Sequence, residues 1–133
     1  MREKLLGLLG LMRRANALSF GETNTGACAR AGKARLLILA EDASANARQR
    51  AEGFAAGRDL PVVGTPFTKE ELAGAVGLSG GSMAAVTDPG FALALLRGLE
   101  EWEPERFGGL AAAFEERQVR RGNTRNGKRR TNG

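Results

Sequence analysis

Leu5, Leu8, Leu9 and Met12 repeat at helical spacing, and Arg13 and Arg14 close the stretch where a helix favours positive charge. An amphipathic helix over Lys4 to Arg14 is expected. The period then changes. Ala17-Leu18-Ser19-Phe20 reads as a short extended piece, and Ala34 to Ala40 is one unbroken apolar run, as in a strand buried on both faces. Leu60-Pro61-Val62-Val63 and Ser82 to Thr87 read as further strands, the first with its proline near the start. Helices fall between them. Ser44 caps one over Ala45 to Ala56, Thr68 caps a short one over Lys69 to Val76, and Asp88-Pro89 opens a last one reaching about Trp102. Gly57 and Gly77 sit where the first two should stop. This alternation predicts an α/β fold with a central sheet covered by helices on both faces.

Residues 19–33, SFGETNTGACARAGK, fit the pattern least well. Ser19-Phe20-Gly21-Glu22 matches an S-x-x-E capping box and Gly32 provides a stop, so a helix is expected. Yet its turns hold Thr, Asn, Thr, Gly, Ala and Cys, and a mid-helix Gly26 costs about 1 kcal/mol against Ala. Short side chains either let the helix pack closely or let a partner approach it. Gly21 brings backbone near a ligand, and free first-turn N–H groups attract anions. Asn24 can pair with purine edges, and Glu22 either accepts from amino groups or simply closes the capping box.

Charge is unevenly placed along the 133 residues. Residues 1–35 carry seven cations against Glu3 and Glu22, residues 36–116 are acidic by seven, and residues 117–133 hold seven Arg/Lys and no acid. One basic end plus a basic tail suits a polyanion partner. From about Gln118 the composition is Arg, Gly, Asn and Thr, too polar to fold alone. The domain is therefore expected over residues 1–103, with an extra C-terminal helix in 104–116 and a disordered basic tail in 117–133.

With no histidine and one cysteine, Ser-His-Asp, Cys-His and His/Cys zinc sites are excluded, and so is an internal disulfide. A reducing, cytoplasmic setting is natural. No apolar run approaches the roughly 18 residues of a membrane span. The N-terminal MREKLLGLLGLMRR lacks a small-residue cleavage site and reads as helix rather than signal peptide. Glu41-Asp42, at the end of the central strand, either bind Mg²⁺ as an enzyme's acid-base pair or cap the next helix. Cys28 and Trp102 read as packing residues, and Leu78-Ser79-Gly80-Gly81-Ser82 as a flexible loop able to wrap a ligand. No phosphate-loop or dinucleotide motif occurs.

The segments LLGLMRRANALSFGE, AGKARLLILAEDAS, LPVV, FTKEELAGAVG and AAVTDPGFA resemble the small bacterial YlxQ-like proteins, members of the L-seven-Ae / L-thirty-e ribosomal protein superfamily of kink-turn RNA binders. The likeness spans about residues 3–100. It implies a three-layer α-β-α sandwich with a four-stranded mixed sheet. It also implies RNA gripped by the start of the second helix in a Gly-x-Asn-Glu-x-x-Lys pattern. Aligned on Gly21, Thr23 takes the Asn place, Asn24 the Glu place and Ala27 the Lys place, so two contacts differ. A flipped-out nucleotide would be held by Ser44, Lys69 and Leu78-Ser79-Gly80, and Asp42 matches the recurrent acid after the strand. Compensating phosphate contacts would come from Arg13, Arg14, Arg30, Lys33, Arg35 and the tail residues Arg120, Arg121, Arg125, Lys128, Arg129 and Arg130.

The expectation is a monomeric, non-enzymatic cytoplasmic protein without cofactor or metal. Its partner would be structured RNA, ribosomal or kink-turn-like, with ribosomal or transcription proteins as further partners. A second reading makes it a protein-interaction module of that machinery with a degenerate RNA face.

Overall fold

A computed structural model describes the backbone of residues 1–132 and the side chains of residues 1–121. In chain order the elements are α1 (Arg2–Arg14), β1 (Leu18–Phe20), α2 (Glu22–Arg30), β2 (Leu36–Leu39), α3 (Ala45–Ala55), β3 (Val62–Gly64), α4 (Lys69–Val76), β4 (Met83–Val86), α5 (Pro89–Trp102), α6 (Pro104–Phe107) and α7 (Leu110–Asn132). The four strands form one sheet in the order β1-β4-β2-β3. β4 runs antiparallel to both β1 and β2, while β2 and β3 are parallel. The result is the expected three-layer α-β-α sandwich around a mixed sheet.

Strand alternation decides which layer each side chain meets. Ser19, Ala85, Leu37 and Val62 form one row across the sheet, beneath α2 and α3. Phe20, Ala84, Ile38 and Val63 form the next row, facing the opposite layer of α1, α4 and α5. That second layer is filled by Leu5, Leu9, Met12, Phe67, Leu95, Leu96 and Leu99, all buried. The α2/α3 layer is held by Cys28, Ala29, Ala34, Leu37, Leu60 and Ala85, with Phe54 packed against them.

One expectation is corrected. Ser19 does not cap α2, because it is paired with Ala85 inside β1; the N-cap is Gly21, and no side chain bonds there. The chain after Pro104 forms two helices, α6 and α7. The continuation of α7 past Glu116 is tied down by Arg117 and Arg120, which lie 3.5 and 3.7 Å from the Asp59 carboxylate, with Arg120 also pairing to Glu116 at helical spacing.

Candidate nucleic-acid interface

The segments that carry candidate chemistry converge on one edge of the sheet. β1, β2 and β3 end there and the antiparallel β4 begins there. Backbone bonds stitch the loops together: Gly21 N–H donates to Met83 O, Ala40 N–H to Ser82 O, and Glu41 N–H to Phe67 O. Thr65 adds a buried hydroxyl bond to Leu39 O at 2.8 Å. The starts of α2, α3 and α4 and the loop 78–82 therefore share one rim.

Gly21 turns the chain from β1 into α2 at φ 95° and ψ 161°, a conformation that only glycine adopts without strain. The loop 78–82 lies directly against this turn. A Cβ on Gly81 would stand 2.6 Å from the Phe20 ring and 3.1 Å from Gly21 Cα, so two glycines let the two stretches touch. With no side-chain cap at Gly21, the first-turn N–H groups of α2 keep their positive end for an outside acceptor.

Helix α2 has two different sides. Thr25, Gly26, Cys28 and Ala29 point inward. A Cβ on Gly26 would come within 2.8 Å of the Phe54 ring, so the close approach of α3 accounts for this glycine. Burial pushes the Cys28 thiol up, with the Ser19 hydroxyl and Lys33 opposing it only partly, so it stays neutral and serves as packing. Thr23, Asn24 and Ala27 are all exposed on the other side. Asn24 Nδ2 donates to Phe20 O at 2.9 Å, which orients its amide. Beyond them a depression of about 500 Å³ runs past Ser19 and Ala31 to Lys33 and Asn16 at the far end of the helix.

Several predicted residues have partners within the chain. Glu22 neither caps the helix nor stands free: it pairs with Arg50 of α3 at 2.7 Å. Asp42 accepts from the Lys69 N–H at 2.8 Å, tying the end of β2 to the start of α4. Ser44 caps α3 by accepting from Ala47 N–H. Glu41 and Asp42 show no third acidic or thiol partner, and among the described residues no cluster of three metal-ligating side chains occurs. The Lys69 side chain remains exposed, and with Ala73, Leu78, Ser79, Gly80 and Ser82 it bounds an open cavity of about 710 Å³. A cavity of that size admits a nucleobase.

The basic residues are not all brought to this rim. Arg13 and Arg14 end α1 and lead into the start of β1, and Lys33 precedes β2, so all three lie toward the opposite sheet edge. Arg120 is likewise engaged near Asp59, ahead of β3, and Arg121 is half-buried one residue on. Arg125, Lys128, Arg129 and Arg130 lie outside the described side chains. The sequence signal missed Arg50, because the register of α3 against α2 is a long-range property.

Comparison with known proteins agrees with this architecture. No protein-family model matches the sequence, and no curated protein matches it. Among solved structures, a protein of unknown function from Bacillus halodurans is similar at 28% identity with a TM-score of 0.66, covering 73% of this chain and 97% of its own. A 15.5kD RNA binding protein of Giardia lamblia is similar at 20% identity with a TM-score of 0.56, covering 73% and 85%. What the chain shares with both is the fold.

Proposed function

We propose that this is a non-enzymatic RNA-binding protein of the cytoplasm that takes structured RNA, kink-turn-like or ribosomal, across the rim formed by the start of α2 and the loop 78–82. The observation that carries the reading is the seating of Gly81 on Gly21, which puts the loop with exposed Leu78, Ser79 and Gly80 against the turn that opens α2, where Thr23, Asn24 and Ala27 are exposed. Backbone N–H groups at the uncapped turn suit a phosphate, Asn24 suits a base edge, and the cavity beside Lys69 suits an unstacked base. The RNA-binding description of the Giardia lamblia protein of the same fold supports the reading. Thr23 and Ala27 carry neither the amide nor the cation of the superfamily pattern, so recognition by shape and backbone outweighs base pairing here.

Titration of kink-turn, ribosomal and unstructured RNAs at fixed salt tests this. The folded RNAs are expected to bind more tightly, and Asn24→Ala, on an exposed position, should weaken them by about tenfold through lost pairing. Binding that ignores RNA shape and is untouched by Asn24→Ala would overturn the proposal.

A further inference from the structure

On the opposite face of the molecule, α1 and α5 leave a groove of about 530 Å³ between them. Lys4, Gly7, Leu8, Leu11 and Arg14 repeat every three to four residues along one side, and Ala94, Arg97, Gly98 and Glu101 repeat likewise along the other. The two helices come together where Leu5 fills the space a side chain at Gly98 would need. Gly7 has nothing within 4 Å of where its Cβ would be, which keeps the groove open above that contact. Leu11 is 46% exposed and Met1 40%, so two of the four large exposed apolar side chains among the described residues rim this one groove.

The charges around the groove say what fits it. Arg97 is neutralised by Glu115 at 3.1 Å. Lys4 and Arg14 have no carboxylate within ion-pair reach among the described residues, and Glu101 is the only acid on the rim. Lys4 and Arg14 stand ten residues apart on one helix, about 15 Å along its axis, with Leu8 and Leu11 between them. We infer that the α1/α5 groove docks an amphipathic helix of a partner protein whose apolar stripe is bracketed by acidic residues about three turns apart. A second copy of this chain suits the groove poorly, since a twofold contact that pairs the two α1 helices sets Lys4 of one copy against Arg14 of the other, cation on cation. Nucleic acid suits it no better, because the strip between the cations is leucine and glycine. The chain would then carry RNA on one rim and a protein helix on the other face.

A display library of helical peptides about 18 residues long, selected on the full chain, tests this directly. Enriched peptides are expected to pair an apolar stripe with flanking Asp or Glu, and to shift backbone NMR signals of Gly7, Leu8, Leu11 and Gly98. Replacing their acids by Lys should weaken binding by about tenfold. Leu11→Glu alters only an exposed side chain, so it should abolish peptide binding while leaving RNA binding and melting temperature unchanged. No enrichment, basic peptides binding equally well, or binding that survives Leu11→Glu would each overturn the inference. So would a concentration-dependent dimer in sedimentation that Leu11→Glu dissolves.

Discussion

The two faces of the sheet are built differently. Beneath α1, α4 and α5 lies a thick layer of buried leucines, methionines and phenylalanines. Burial of such side chains contributes about 1.5–3 kcal/mol apiece, so this face holds most of the stability. Beneath α2 and α3 the layer is thin: two leucines, three alanines and a cysteine, with Phe54 laid across Gly26. Stubby residues on the inner side of α2 follow from that close packing. Those on the outer side, Thr23, Asn24 and Ala27, are exposed, and that packing does not account for their small size. One face stabilises the fold, and the other holds a short helix close while leaving its outer side and first turn free.

The difference can be broken most sharply from the thick side. Leu95→Ala removes a fully buried side chain from α5 and should cost about 2–5 kcal/mol in denaturant unfolding, with RNA affinity of the folded protein unchanged. On the thin side, Gly26→Val should cost about 1–3 kcal/mol by forcing α2 off the Phe54 ring, although helix propensity alone predicts a gain. Phe54→Ala in the same chain should recover part of that loss, measurable as a double-mutant cycle. On the outer side of α2, Ala27→Lys should leave unfolding within about 0.5 kcal/mol of the parent. It should also strengthen structured-RNA binding by about 1–3 kcal/mol and steepen the salt slope by about one.

The smallest effect concerns how the thick face is fastened. Glu71 closes a capping box with Thr68 and takes both oxygens to Arg2, whose guanidinium lies 5.1 Å from the Trp102 ring centre. The Thr68 backbone N–H above all holds the Glu71 carboxyl below its ordinary value; burial opposes it, and Arg2 adds to the lowering. A depressed carboxylate stabilises the fold above its unfolded pKa of about 4.3 and loses that contribution as pH falls through the lower folded value. Glu71→Gln should therefore melt slightly below the parent at neutral pH, and the gap should close below about pH 4.

Much of the architecture was legible in the sequence. The apolar run Ala34 to Ala40 gave β2, and Ser44, Thr68 and Asp88 each cap the helix they were expected to open. Short-range signals succeeded because caps and apolar runs act within a few residues. The S-x-x-E match at Ser19 misled for the same reason: pairing of Ser19 with Ala85, a long-range event, took that residue into a strand first. At the candidate site, Gly21, Thr23, Asn24, Ala27 and the loop at 78–80 stood out by composition, and the fold brings them together. The commitment of Glu22 to Arg50 and of Asp42 to the Lys69 N–H depends on which helix ends meet. So does the placement of Arg13 and Arg14 toward the other sheet edge, and no local pattern encodes any of these.

The most direct measurement is an NMR titration of the labelled chain with a folded kink-turn or ribosomal RNA fragment. Amide shifts should concentrate on residues 21–27 and 78–82, with α1 and α5 silent. Shifts limited to the residues after Glu116, or spread without regard to the rim where Gly81 meets Gly21, would contradict an RNA surface at that place.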